Sequence, residues 1–92
     1  MKYLKDVWCH IKEEFPTTSY YEIDEDRRAV RLIEFFINGS IKCKSRTNKE
    51  DAYMAHLPFP SIEEMNKNST ATDYIVYVSQ EEFESLWDKY AH

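Results

Sequence analysis

An α+β fold, with two short helices packed on an antiparallel sheet of about five strands, follows from three features of this 92-residue sequence. Five short segments are rich in β-branched and aromatic residues and place apolar side chains on definable strand faces. An Asn-Gly pair joins two of them as a hairpin, which makes those two antiparallel neighbours. Two Ser-x-x-Glu boxes announce helix starts, one before the last strand and one after it. The order is four strands, a helix, a strand and a helix, in a single domain over residues 1–92.

Residues 2–11 form the first strand, with Tyr3, Val7, Cys9 and Ile11 on one side and Leu4, Trp8 and His10 on the other. Glu13, Glu14 and Pro16 end it, because proline has no amide for the ladder. Residues 19–23 are a second strand running into the acidic turn Asp24-Glu25-Asp26. Residues 28–37 are the strongest strand. Val30, Leu32 and Phe36 share one face and Ile33, Phe35 and Ile37 the other, as in a central strand covered on both sides towards its C-terminal end. Asn38-Gly39 then predicts a two-residue type I′ turn. The returning strand, 40–46, turns Ile41 and Cys43 inward and Lys42, Lys44 and Arg46 outward.

Residues 47–55 are polar and read as loop, and the prolines at 58 and 60 impose an extended approach to the next element. Ser61 and Glu64 box the start of a short helix ending near Asn68. Residues 73–78 are β-branched and aromatic, hence a strand. Ser79 and Glu82 open the C-terminal helix, whose Phe83, Leu86, Trp87 and Tyr90 lie at i, i+3, i+4 and i+7 as one apolar stripe.

Composition narrows the function. Apolar residues make up 42 % and aromatics 15 %, so the chain folds rather than staying disordered. The formal charge of −5 disfavours direct binding of nucleic acid, which rests on clustered Lys and Arg, and favours a basic partner. A single glycine rules out a Gly-rich phosphate loop. No stretch reaches the ~18 apolar residues of a membrane span, and the first residues lack a signal-peptide core, so the expected location is cytoplasmic with Cys9 and Cys43 reduced. Cys9 and His10 are adjacent on a strand and point to opposite faces, and nothing in the spacing couples Cys43 to His56, so no catalytic set is expected. The Asp24-Glu25-Asp26 cluster lacks the glycine and spaced ligands of a calcium loop; it reads as a solvated turn or as an electronegative knob for a basic protein. Neither cofactor nor metal is expected. Tyr20, Tyr21, Tyr53, Tyr74 and Tyr77 exceed what a small core holds with hydroxyls satisfied, and tyrosine is enriched at interfaces. Tyr20 and Tyr21 face opposite ways on a strand, so one is expected in the core and the other exposed.

Four stretches carry a resemblance. Tyr3-Leu4-Lys5 with Trp8-Cys9-His10 is similar to an opening strand. Tyr21-Glu22-Ile23-Asp24 through Arg27, then Arg31, Glu34, Phe36 and Gly39, is the most recognisable run. Pro58-Phe59-Pro60-Ser61-Ile62-Glu63-Glu64-Met65-Asn66 and the segment from Ser79 to Trp87 complete the set. Together they resemble a family of small bacterial proteins classed as a domain of unknown function, with members that are candidate immunity proteins of the contact-dependent inhibition type, encoded beside toxins. Asp6 departs from the pattern, which expects an aliphatic residue there. The resemblance implies a cytosolic immunity protein that covers the active site of a cognate toxin, a basic nuclease domain, with an acidic and aromatic surface. The expected contacts are Glu22, Asp24, Glu25 and Asp26, followed by Glu13, Glu14 and Tyr20. The expected state is a monomer or weak homodimer. The alternatives are a non-catalytic adaptor or regulatory module, or a domain with a small-ligand pocket between sheet and helices.

Overall fold

A computed structural model describes residues 2–25, 28–45, 62–65, 67 and 72–91. The fold is α+β, built on a five-stranded antiparallel sheet with the C-terminal helix across one face. The strands are β1 (Lys2–Val7), β2 (Thr18–Ile23), β3 (Ala29–Phe35), β4 (Ile41–Ser45) and β5 (Tyr74–Val78). Their order in the sheet is β4-β3-β2-β1-β5. The first four strands therefore run as a meander, and β5 joins the far side of β1, so Lys5 pairs with Tyr20 on one flank and Val76 on the other.

Each expected strand is present with its bounds shifted: β2 starts one residue earlier, at Thr18, and the others are shorter. β1 stops at Val7 rather than at residue 11. The Trp8 amide still reaches the Thr17 carbonyl at 2.8 Å, but the next amide, of Cys9, turns to the Asp73 carboxylate at 2.7 Å, and the chain leaves the ladder. The Asn-Gly turn also differs. Phe36 donates to Ser40 at 2.9 Å and Gly39 donates back to Phe36 at 3.0 Å, so three residues make the loop instead of two. Gly39 alone supplies the left-handed conformation, at φ 89°, and the Asn38 carboxamide accepts from the Ser40 amide at 2.9 Å. This is a three-residue hairpin closed by a glycine bulge, for which Asn-Gly is equally well suited.

The two expected helices are unequal. The first, α1 (Ile62–Met65), is a single turn, already tightened to an i to i+3 bond from Lys67 to Glu64. Its expected end near Asn68 lies outside the described residues. The capping Ser61 and the extended stretch before it lie outside the described residues. The second, α2 (Gln80–Tyr90), has the Ser79 hydroxyl accepting from the Glu82 amide at 3.1 Å, the serine half of the expected box.

Burial divides by sheet face. Tyr3, Tyr20, Ile33 and Phe83 make the core beneath α2, with Phe35, Cys43, Val78, Leu86 and Trp87 packed around them. The apolar stripe of α2 thus seats on the sheet as its spacing predicts, and Tyr90 meets Phe35 edge-on at 5.5 Å. On the opposite face Leu4, Ala29 and Leu32 are buried, with Tyr21 packed against the latter pair. β3 is covered on both sides, but most completely at Leu32 and Ile33, mid-strand; Ile37, beyond its end, is exposed. A bulge between Glu22 and Ile23 shifts the β2–β3 register so that Ile23 pairs with Ala29.

Asp6, the departure from the family pattern, lies on the Leu4 face opposite Ser19 and Ile75. Burial first, and the nearby Asp73 carboxylate second, raise its carboxyl above the ordinary range. A raised acid favours its neutral form in the fold, so its ionisation lowers stability as pH climbs past the unfolded value. Asp6→Asn is therefore expected to raise the thermal midpoint at pH 7, with the gain shrinking as pH falls towards 4. Thermal melts of both proteins across that range check this, and a gain that persists in acid would contradict it.

Candidate protein-binding surface

A polar cluster of the described residues joins α2 to the sheet. β1, β2 and β3 place Tyr3, Glu22 and Arg31 side by side on one row of the sheet. Arg31 Nε donates to Glu22 Oε1 at 2.8 Å and Nη2 to Glu22 Oε2 at 2.8 Å, a two-pronged pair. The Tyr3 hydroxyl donates to the same Oε2 at 3.0 Å. From the helix, Glu84 accepts two further Arg31 bonds, one from Nη1 at 3.3 Å and a shorter one from Nη2. The guanidinium sits 5.0 Å from the ring centres of both Phe83 and Trp87, which stack at 13°. Hydrogen bonding from Arg31 holds the Glu22 carboxyl below its usual range in spite of burial, and the two glutamates raise Arg31 further. Burial, and then Glu22, push the Tyr3 phenol up. The chemistry is that of a clamp fixing helix to sheet.

The clamp and the core beside it remove two expected contact residues from the surface. Glu22 is 6 % exposed with both oxygens engaged, and Tyr20 is 9 % exposed, edge-on to Phe35 beneath α2. Sequence reading placed one of Tyr20 and Tyr21 outward, but both faces of β2 are covered and neither is exposed. Asp24 is half-buried and closes the β2–β3 turn: its Oδ1 accepts from the Arg28 amide at 3.0 Å, and its own amide donates to the Arg28 carbonyl at 3.0 Å. Glu25 is exposed beside it, and Asp26 lies outside the described residues.

Glu13 and Glu14 are exposed, but at the other end of the sheet. The β1–β2 connection and the β2–β3 turn leave β2 from opposite termini, separated by its six residues, or about 20 Å. The six expected contacts among the described residues thus do not form one patch.

Glu13 and Glu14 have other neighbours. Of the seven large apolar side chains exposed among the described residues, five lie at their end: Trp8, Ile11 and Phe15 on the β1–β2 connection, and Ile37 and Ile41 on the β3–β4 hairpin. β2 and β3 are adjacent, so the two connections stand side by side, joined where the Thr17 amide donates to the Phe35 carbonyl at 2.9 Å. The longer connection is braced from within. His10 Nδ1 accepts the Lys12 amide at 3.0 Å, so Nε2 carries the proton and donates to the Pro16 carbonyl at 2.9 Å. Trp8 packs on His10 at 4.2 Å and on Phe15 at 5.8 Å between ring centres. Sequence reading missed Ile11 as a surface group by carrying the strand to it, and took Phe15 only as part of the break that follows. The available signal was apolar residues interleaved with Lys12, Glu13 and Glu14 just before Pro16, a segment too polar for a buried strand.

Of the remaining reactive groups, Cys9 is exposed and Cys43 is half-buried beneath α2, where burial raises its thiol. Neither His10 ring nitrogen is turned to a nucleophile, and His56 and His92 lie outside the described residues. An open depression of about 400 Å³ lies at the start of α2, lined by Lys2, Tyr3, Tyr77, Val78 and Gln80. Among the described residues, no helix is long and apolar enough to cross a membrane.

These features define a small α+β domain with a helix clamped to one sheet face and an apolar, acidic-edged end. The chain belongs to the family described as a domain of unknown function, DUF6881, whose model matches residues 2–92. No curated protein and no solved structure matches it.

Proposed function

We propose that this chain is a non-catalytic protein-binding domain, an immunity protein that neutralises a cognate basic toxin, a nuclease domain, by covering its active site. The observation that carries the reading is the grouping of exposed Trp8, Ile11 and Phe15 with exposed Glu13 and Glu14, in a chain of net charge −5. Exposed aromatic and aliphatic side chains supply anchors, and carboxylates steer a cationic partner and fix its register. Monomers rarely leave such groups clustered without use.

The test is co-purification with the product of the adjacent upstream gene at low and raised salt, alongside cell survival when that product is expressed. A complex weakened by salt, together with protection, is expected. A complex without protection would favour an adaptor. Absence of a complex at both salts would overturn the proposal.

A further inference from the structure

The expected acidic contacts fall into two separated regions, and the structure distinguishes them. At the β2–β3 turn the Asp24 carboxylate is occupied in closing the turn, and none of the exposed large apolar residues of the described set belongs to that turn. At the other end, Ile11 is 87 % exposed and Phe15 44 % exposed, and between them in the chain lie Lys12, Glu13 and Glu14, an acidic excess of one charge. A solvent-facing isoleucine on a flexible loop would lose much of its binding energy to ordering. Here the loop is already ordered by the Trp8–Thr17, Cys9–Asp73, Lys12–His10 and His10–Pro16 hydrogen bonds. Preorganisation of this kind cuts the entropic cost of association.

We infer that the partner docks on this end of the sheet: Ile11 and Phe15 enter an apolar pocket of a basic protein, Glu13 and Glu14 meet cations at the rim of that pocket, and the Asp24–Glu25 turn stays outside the contact. The inference rests on the protein-binding reading above and names its surface. A second copy of the chain is the less suited occupant, because this connection carries two carboxylates against one cation, Lys12, and a copy would present the same acidic excess. Ile37 and Ile41 on the neighbouring hairpin extend the apolar floor beyond the connection.

The experiment is calorimetric titration of the purified adjacent gene product into the full chain and three variants. Ile11→Asp with Phe15→Ala should weaken binding by at least about 30-fold, the scale of a hot-spot loss. Glu13→Gln with Glu14→Gln should flatten the salt dependence, and Glu25→Lys should leave binding within about twofold of the parent, as a charge outside the contact does. All the substituted residues are exposed, and circular dichroism confirms that each variant keeps the parent fold. Loss of binding in Glu25→Lys with retention in Ile11→Asp/Phe15→Ala would overturn the inference and leave the protein-binding reading standing. No heat and no complex with the unaltered chain would overturn both.

Discussion

Arg31→Ala is expected to destabilise the fold by about 3–5 kcal/mol, read as a lowered urea midpoint, because it strands the buried Glu22 carboxylate without its charge partner. The whole stability of a 92-residue domain is of the order of 5–14 kcal/mol, so this single change brings the chain close to unfolding. The cost comes from the carboxylate left behind, and a control separates the two terms. Replacing the pair together, Glu22→Leu with Arg31→Met, should recover much of the loss, since an apolar pair of similar volume needs no desolvation. Glu84→Gln should cost less, as its carboxylate is partly exposed. The acid limb carries a second signature. Glu22 is held below its ordinary range, so its contribution is complete above the unfolded value and is lost as pH falls through the folded one. Arg31→Ala should therefore flatten the acid side of the stability profile; an unchanged acid limb would show that the clamp does not carry it.

Phe83→Ala is the other large effect, about 3–5 kcal/mol. Phe83 is fully buried, it is the innermost residue of α2, and its ring packs 5.2 Å from Tyr3. Truncation opens a cavity between helix and sheet, and it also removes a ring over which the Arg31 guanidinium lies. The two sites share partners, so their costs should not add: the double variant is expected to lose less than the sum of the singles. Urea melts of the two singles and the double check both the magnitude and the coupling. Strict additivity would show that clamp and core are independent.

The fold itself was legible in the sequence because its signals are local. Alternation, an Asn-Gly pair and a serine cap each act within a few residues, so the five strands, the β3–β4 hairpin and the C-terminal helix could be placed from short windows. The stripe Phe83, Leu86, Trp87 and Tyr90 states its own destination, since an apolar face must be covered. Strand ends were less legible. The strand through Trp8 stops where the Cys9 amide finds Asp73, a residue 64 positions away, and no window around Cys9 contains that partner.

Of the candidate site, the sequence carried only the sign of the charge. Net charge and residue types indicated a basic protein partner, but the contact list mixed residues that the fold separates. Glu22 and Glu25 are three positions apart, yet one is turned under the helix by strand alternation and held by Arg31, while the other remains in a solvent-facing turn. Glu14 and Glu25 look like members of one acidic surface in the chain and stand at opposite ends of β2 in the sheet. Sequence by itself determined which elements form, which helix face is apolar and the sign of the charge. Tertiary structure alone decided which carboxylates are spent inside and which apolar residues are left outside, because both depend on neighbours brought together by strand pairing across tens of residues.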